Sequence, residues 1–274
     1  MSLADSMSSK SIAPLRKERV DHQFAPNSRV LADMIASLGV DNDWNWAWEN
    51  YKPTIRNLCK RLNAKRVIEI GGGRNPSFAL TELNELGAEF TVNDIERSEL
   101  EHLPAGYRTA SFDIAGDLSH LGSLRGSFDL AFSQMVFEHV SDGQRAWANV
   151  YGLLAPGGIA LAFVPTLYAF PFVLNWLLPS RVAATLVRTF RPDRDYDVRP
   201  VFPAHYSWCI SDEKRMTAML SAIGFREAAV VPFYGHSYYA MFPIMRDLHS
   251  KFNDIVRRHD WRTLASFAYI IVRK

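Results

Sequence analysis

Three consecutive glycines and an aspartate are the residues of this chain whose types and spacing best suit ligand binding. Gly71, Gly72 and Gly73 follow the apolar run Val67–Ile70, and glycine lets the backbone bend sharply and approach a ligand closely. Asp94 comes about 20 residues later, at the distance from a glycine loop where a carboxylate accepts hydrogen bonds from ribose hydroxyls. The pattern predicts a site for a cofactor that contains a ribose.

The glycines lie between a predicted strand and a predicted helix. The branched residues of Val67–Ile70 are typical of a buried parallel strand. Asn75 is then predicted to cap a helix, with Pro76 at its first position and Gly87 just beyond its end. A strand, a glycine turn and a helix N-terminus in this order indicate the cofactor site of a doubly wound α/β sheet.

The spacing of the glycines distinguishes between cofactors. A dinucleotide fingerprint has glycine at its first, third and sixth positions, but the sixth position counted from Gly71 is Pro76. The pattern Glu69-x-Gly71-x-Gly73-x-Asn75 instead resembles the first motif of class I S-adenosylmethionine-dependent methyltransferases, Asp/Glu-x-Gly-x-Gly-x-Gly. The predicted capping role of Asn75 accounts for the missing last glycine. The resemblance implies that Glu69 lies near the ammonium group of S-adenosylmethionine.

Two later segments resemble the second and third motifs of the same superfamily. Glu89–Asp94 predicts a strand whose last residue would bind the cofactor ribose, with Ile95 beside it. A third element is predicted over residues 107–114. The resemblance implies that Asp113 meets the adenine amino group and that Ile114 covers the adenine ring.

The stretch Ser127–Val140 resembles the fourth-strand motif. Phe128–Phe132 predicts a buried strand, and Ser133 and Gln134 follow at its carboxyl end, where open α/β sheets bind their ligands. The resemblance covers about residues 65–165 and implies S-adenosylmethionine as the cofactor. The implied cofactor-binding residues are Glu69, Gly71, Gly72, Gly73, Asn75, Asp94, Ile95, Asp113, Ile114, Ser133 and Gln134.

Three side chains are candidates for catalysis. His139 lies just beyond the fourth strand, and an unperturbed histidine pKa of about 6.5 suits a general base. A structural role is an equal alternative, because Glu138–His139 pairs occur in members of the superfamily with different reactions. His205 and Tyr206 are the other candidates. No metal is predicted, because the metal-dependent members that modify RNA ends have another glutamate where Met135 stands.

The resemblance and the order of predicted elements give one α/β fold with a three-layer, doubly wound, Rossmann-like sheet of seven mostly parallel strands. Residues 1–12 are predicted as a flexible tail and residues 13–64 as an N-terminal helical cover. The methyltransferase domain is predicted over residues 65–274, including an insert at 166–210. So long an irregular connection suggests substrate recognition.

Further elements are predicted outside the motifs. Ser28 is expected to cap a first helix, and the apolar spacing from Trp44 to Leu62 predicts a second, which Pro53 would kink or divide. A helix capped near Ser141 is expected to precede the fifth strand. The predicted later elements are strands at Ile159–Val164, Arg226–Phe233 and Ala268–Val272, a helix that begins at Ser211, and a helix over Pro243–Arg258.

The composition is that of an ordinary globular protein. The chain has 274 residues, of which 48% are hydrophobic and 22% are charged, and its formal net charge of +2 is too small to indicate a nucleic-acid partner. Cys59 and Cys209 do not form the pattern of a disulfide framework. We therefore expect a cytoplasmic protein.

One apolar stretch, Ile159–Pro179, approaches the length needed to span a bilayer. Pro165 and Pro171 interrupt it, so the stretch is predicted to form a core strand, a loop and a separate apolar helix. Peripheral membrane contact through residues 168–191 remains open, because arginines follow the apolar residues there.

The sequence thus predicts S-adenosylmethionine-dependent methyl transfer to an oxygen of a small molecule or saccharide, with lipid-linked glycans among the acceptors. One alternative is an NAD(P)-dependent oxidoreductase on a related sheet. The other is a regulatory protein that binds the cofactor without catalysis. The acceptor depends on the insert at 166–210, and the sequence does not indicate an oligomeric state.

Overall fold

Seven strands form one open sheet in a computed structural model that describes residues 30–169, 203–237 and 243–274. In chain order, the strands are β1 (Arg66–Ile70), β2 (Glu89–Asp94), β3 (Arg108–Ser111), β4 (Phe128–Gln134), β5 (Leu154–Pro165), β6 (Glu227–Phe233) and β7 (Phe267–Arg273).

The strand order is β3-β2-β1-β4-β5-β7-β6, and of these seven strands β7 alone runs opposite to the others. β1 pairs with β2 on one side and with β4 on the other, so the direction in which strands are added reverses at β1. Such a switch point opens a crevice beyond the carboxyl ends of the strands, where ligands bind. The predicted mostly parallel, seven-stranded α/β fold is confirmed.

Helices connect and cover the strands. Within the described residues, no helix combines the length and hydrophobicity required to cross a membrane. The helices, in chain order, are α1 (Val30–Ala36), α2 (Trp44–Leu62), α3 (Leu80–Leu86), α4 (Arg97–Glu101), α5 (Gly143–Leu153), α6 (Glu213–Ile223) and α7 (Pro243–Arg258).

Helix α2 covers the sheet with an apolar face. It is capped by Asp43 and ends at Asn63, which adopts the left-handed conformation with φ 47°. Tyr51 is buried and meets Phe132 of β4 edge-on at 6.3 Å between ring centroids. Pro53 lies inside one continuous helix, so of the two predicted effects, a kink or a division, the structure excludes the division. Burial of apolar residues on both sides of the proline outweighs the single backbone hydrogen bond that it removes.

The helix after the glycine loop begins later than predicted. Its N-cap is Ala79, whose N–H donates to the Glu82 carboxylate at 2.8 Å. The prediction that Asn75 caps this helix is therefore wrong. The buried Glu69 carboxylate holds Ser77 by its backbone N–H and its hydroxyl, and this interaction keeps the intervening residues out of the helix.

Other boundaries agree with the sequence prediction more closely. Gly87 ends α3 in the left-handed conformation, with φ 64°. The bounds of β2 and α7 are those predicted. β3 is shorter than the predicted 107–114, because Asp113 turns the chain by accepting the N–H groups of Ala115 and Gly116.

The helices and strands after β4 also form as predicted, with small shifts. The cap of α5 is Asp142, one residue beyond the predicted Ser141. β5 is longer than the predicted Ile159–Val164, because its pairing with β4 begins at Leu154 and continues across an irregularity. The cap at Ser28, the tail at 1–12 and most of the insert, from 170 to 202, lie outside the described residues.

Candidate active site

The glycine loop after β1 has no room for side chains. Gly71 has φ +71°, and a Cβ atom there would lie 2.5 Å from Cγ2 of Val136. Gly73 has φ +48°, and its Cβ would lie 2.9 Å from Oδ2 of Asp94. Both positions require glycine for conformation and for space. The backbone of the loop therefore packs directly against Asp94 at the end of β2 and against Val136 after β4.

Gly72, the middle glycine of the loop, is hydrogen-bonded to β2. The N–H of Gly72 donates to the carbonyl of Asn93 at 2.9 Å, and its own carbonyl accepts the N–H of Asn75 at 3.2 Å. A Cβ at Gly72 would lie 2.8 Å from Cγ1 of Val92. Asn75 thus stabilises the turn through its backbone.

Glu69 lies beneath the loop. Its side chain accepts the backbone N–H of Ser77 at 3.0 Å and the Ser77 hydroxyl at 2.6 Å, and the residue is only 4% exposed. Burial raises the pKa of Glu69 to about 7, although the hydrogen bonds from Ser77 and the charge of Lys52 oppose part of this rise. The contact of Glu69 with the cofactor ammonium group stays a prediction.

Asp94 stands at the carboxyl end of β2, next to the loop. Its Oδ1 accepts the N–H of Glu96 at 2.9 Å, which fixes the orientation of the carboxylate. Burial, with a contribution from the Glu99 and Glu96 carboxylates, raises the pKa of Asp94 above its usual value. Ile95, the next residue, is 62% exposed, so a large apolar side chain is available beside this carboxylate.

An ion pair joins the glycine loop to α4. The Nε and Nη2 atoms of Arg74 donate to the two carboxylate oxygens of Glu99 at 2.5 and 2.6 Å. The Cβ atom of Glu99 is 3.6 Å from a Cβ placed on Gly73, so the pair lies beside the same edge of the loop as Asp94. A two-point contact of this kind restricts how far the loop can move.

The structure separates the two residues predicted to meet adenine. Asp113 is exposed at the carboxyl end of β3, and its Oδ1 accepts the N–H of Ala115 at 2.8 Å. Ile114 is 5% exposed and packs in the hydrophobic core, while its carbonyl accepts a hydrogen bond from Asn149 at 2.7 Å. The roles of both residues toward adenine stay predictions.

The chain turns sharply where it leaves β4. Ser133 is buried, and its hydroxyl has no hydrogen-bond partner among the described residues, while Gln134 is half-buried. Met135 adopts φ +55°, and its N–H donates to the carbonyl of Phe163 at 2.8 Å. This turn brings Val136 against Gly71.

His139 and Glu138 follow in a short 3₁₀ turn. The Nδ1 atom of His139 lies 2.9 Å from the carbonyl oxygen of Pro203, and its Nε2 atom lies 3.9 Å from Oε1 of Glu138. Because a carbonyl only accepts, in the neutral ring the proton lies on Nδ1 and the lone pair on Nε2. Glu138 is 5% exposed, and burial raises its pKa to about 8.

The end of the predicted insert docks on this turn. The N–H groups of His205 and Tyr206 donate to the carbonyl of Glu138 at 2.6 and 3.0 Å. The Ser207 hydroxyl accepts the N–H of Gly143 at 2.9 Å. His205 is exposed, whereas Tyr206 is 5% exposed and adopts φ +51°. Two of the three predicted catalytic side chains, His139 and His205, therefore lie on docked segments at solvent-accessible positions.

The structure brings most of the predicted site to one edge of the sheet, and it adds residues that sequence reasoning missed. Val136 was missed, since an apolar residue after a strand carries no local signal of a contact with glycine. The pair of Arg74 and Glu99 was also missed, although opposite charges that flank the loop and the predicted ribose carboxylate were a usable signal. Pro203 was missed because it lies 64 residues from His139.

Comparisons with known proteins agree with this arrangement. Residues 68–162, from β1 into β5, match the family described as methyltransferase domain. Lovastatin diketide synthase mokB of Monascus pilosus is 25% identical over 54% of this chain, and the match spans 7% of that protein's length.

One solved structure shows a similar fold, and a second has a lower TM-score. The trans-methyltransferase CalH in complex with S-adenosylhomocysteine has a TM-score of 0.50 and 16% identity, and the alignment covers 81% of this chain and 54% of that one. A methyltransferase from Archaeoglobus fulgidus that depends on S-adenosylmethionine has a TM-score of 0.47 and 17% identity, with 85% of this chain and 100% of that one covered.

The residues at this edge fit an adenosyl cofactor. Gly71 and Gly73 leave space next to the backbone that a Cβ atom would fill. Asp94 provides an oriented carboxylate for hydroxyl groups, and Ile95 provides an exposed apolar surface. The site and the strand order agree with the match of residues 68–162 to the methyltransferase domain family.

Proposed function

We propose that this protein transfers a methyl group from S-adenosylmethionine to an oxygen atom of a small molecule or saccharide, lipid-linked glycans included. The observation that carries the proposal is the orientation of His139. Its ring is fixed by the carbonyl of Pro203, beside the turn that brings Val136 onto the glycine loop. A base at this place suits an acceptor that must lose a proton.

The chain's own residues would bind and orient the cofactor. S-adenosylmethionine, when bound, supplies a methyl carbon that is activated by the attached sulfonium. Gly71 and Gly73 admit the ligand to the backbone, and Asp94 accepts hydrogen bonds from its ribose hydroxyls. Ile95 and Asp113 stand at the carboxyl ends of β2 and β3, on the side assigned to adenine. Positioning of this kind accounts for a large share of the rate enhancement.

His139 would take the proton from the acceptor hydroxyl. With the proton on Nδ1 donated to Pro203, Nε2 carries the lone pair that receives it. The imidazolium so formed lies 3.9 Å from Oε1 of Glu138, and its charge favours ionisation of that buried carboxyl. His205, exposed on the docked segment, is the second candidate for this role, whereas burial of Tyr206 leaves its side chain less accessible.

Binding and turnover test the proposal separately. Isothermal titration should show binding of S-adenosylhomocysteine, and binding of NADH alone would overturn the proposal. Transfer of a labelled methyl group from the donor to hydroxyl acceptors in a cell extract tests catalysis. Absence of labelled product across a broad pH range would instead support a protein that binds the cofactor without catalysis.

The variant His139→Ala tests the base. We expect turnover to fall by about 10²–10⁴-fold, the usual contribution of general base catalysis, with cofactor affinity within about twofold of the original. The loss should shrink at high pH, where hydroxide replaces the base. His205→Ala is the matched control, and a greater loss in that variant would move the base to His205.

A further inference from the structure

Helix α7 exposes a stripe of large apolar side chains. Ile244 is 85% exposed, Leu248 69%, Phe252 43% and Ile255 47%. Their spacing of four, four and three residues places all four on one face of an α-helix. Scattered exposed apolar residues are ordinary, but a contiguous stripe on one helix marks an interaction surface.

Among the described residues, side chains outside the stripe attach α7 to the rest of the protein. Val256, on another side of the helix, is fully buried in a small cluster with Tyr234 and Ala265. His249 also lies outside the stripe and contacts His236 in a tilted arrangement, with 4.0 Å between ring centroids. The helix is thus anchored through other positions, and the stripe remains on the surface.

Two cations flank the stripe. Lys251 and Arg258 lie beside it on the helical projection, and neither forms an ion pair within the described residues. The other basic residues of α7 are engaged, since Arg246 pairs with Asp247 at 2.9 Å and Arg257 with Asp41 at 3.1 Å. An apolar stripe beside Lys and Arg side chains is typical of a helix that lies in a bilayer interface.

The position of α7 relates the stripe to the candidate active site. β6 ends at Phe233 and β7 begins at Phe267, which pairs both with Phe233 and with Pro165 at the end of β5. The connection that contains α7 therefore emerges at the carboxyl edge of the sheet. The glycine loop and His139 lie at the same edge.

We propose that α7 docks on the surface of an anionic lipid bilayer, with its apolar stripe inserted at the headgroup boundary and Lys251 and Arg258 on lipid phosphates. Negative headgroups would neutralise both cations. Trp261 lies three residues beyond the helix and is 49% exposed, and tryptophan favours the membrane interface. This binding property does not depend on the proposed methyl transfer.

Co-sedimentation of the full chain with lipid vesicles tests the proposal. Vesicles of equal parts phosphatidylcholine and phosphatidylglycerol should bind the protein at least about tenfold more tightly than vesicles of phosphatidylcholine alone, and added salt should weaken the binding. The double variant Leu248→Ser and Phe252→Ser should lose at least about tenfold in affinity, because it removes half of the stripe.

A pair of charge variants separates local from overall charge. Lys251→Glu with Arg258→Glu should weaken binding to the anionic vesicles at least about tenfold. The control, Lys60→Glu with Arg61→Glu, makes the same charge change in the last turn of α2, which leads into the amino end of β1 at the opposite edge of the sheet. It should bind as the unaltered protein does.

Several outcomes would overturn the proposal. The first is that the unaltered protein binds neither kind of vesicle. The second is that the stripe variant binds as tightly as the unaltered protein, because the contact would then lie elsewhere in the chain. The third outcome is measured by sedimentation velocity. Dimers that disappear in the stripe variant, without vesicle binding, would identify a second copy as the occupant. S-adenosylhomocysteine binding and circular dichroism establish that each variant is folded.

Discussion

The carboxylate of Asp94 is oriented by the chain itself, before any ligand is considered. Its Oδ1 accepts the N–H of Glu96, and Gly73 leaves space for its Oδ2. This arrangement is suited to hydrogen bonds from two hydroxyl groups, and the negative charge strengthens them. The residue therefore allows a direct test of the cofactor site.

Asp94→Asn should weaken binding of S-adenosylhomocysteine by about tenfold, because hydrogen bonds to a charged group are worth about 1.5–3 kcal/mol and the amide retains part of them. Isothermal titration measures the change. Asp43→Asn is the matched control, because Asp43 accepts the N–H of Asn45 at 2.8 Å in a similar local turn at the start of α2. An equal loss of affinity in both variants would show that Asp94 acts only through the turn.

Glu138 gives stability a specific pH dependence. The ordinary pKa of a glutamate is 4.5, and burial raises that of Glu138 to about 8. Between these pH values the folded protein retains a proton that the unfolded chain has released, so the unfolding free energy must fall as pH rises. Glu69, with a pKa raised to about 7, contributes in the same direction.

Glu138→Gln should therefore make the unfolding free energy less dependent on pH between about 5 and 8, with a difference on the order of 3 kcal/mol at most. Urea unfolding at several pH values measures this dependence. Glu101→Gln is the control, because it makes the same change at an exposed side chain that pairs with Arg97 on α4. If the Glu138 variant kept the original slope, the proton would reside on another group.

Among the elements, the loops after β1 and β4 pack against each other. Met135 takes a left-handed conformation that turns the chain toward the glycine loop, and Val136 then occupies the space that a side chain at Gly71 would need. The cofactor loop is thus shaped by a contact between two segments about 65 residues apart in the chain.

Gly71→Ala should reduce affinity for S-adenosylhomocysteine by at least about 100-fold and lower the unfolding free energy by about 2–4 kcal/mol, because strain and overlap add. Gly87→Ala is the control, with a similar φ of +64° and no atom within 4 Å of its Cβ. It should cost about 1–2 kcal/mol of stability and leave affinity unchanged.

Adding Val136→Ala to the Gly71 variant should restore part of the lost affinity, since it removes the two overlapping methyl groups. Titration of the three variants side by side measures this recovery. If the double variant bound no better than the single one, the backbone conformation of Gly71 would be responsible, and its contact with Val136 would not.

At the scale of the whole molecule, one edge of the sheet collects segments from distant parts of the chain. The glycine loop, the turn at His139, the segment that ends the insert and helix α7 all lie at the carboxyl edge. The docked segment is held by backbone hydrogen bonds to Glu138 and by Gly143 packed against Ser207. Loss of this docking would release the ring of His139 from Pro203.

Gly143→Ala tests the coupling, because a Cβ there would lie 2.1 Å from the carbonyl oxygen of Ser207. We expect turnover to fall at least about tenfold, cofactor affinity to stay within about threefold, and proteolysis near residues 203–210 to accelerate. Gly122→Ala, with open space around its Cβ, is the control. Unchanged turnover in the Gly143 variant would mean that docking of the segment is not required for catalysis.

The sequence alone determined the order and nature of the elements that build the cofactor site. Branched runs predicted β1 and β2, glycine spacing predicted the loop, and the predicted bounds of α7 agree with the structure. These features depend on neighbouring residues, because backbone conformation and hydrophobic periodicity are local properties. The ordered motifs then indicated the superfamily.

Which residues come into contact depends on the folded structure. The start of α3 at Leu80 depends on the carboxylates of Glu69 and Glu82, so the local signal of Asn75 and Pro76 was misleading. The tautomer of His139 and the exposure of the α7 stripe also follow from contacts that the sequence does not show. A helical period is the same whether the apolar face is buried or exposed, and a hydrogen bond between distant residues has no signature in either local sequence.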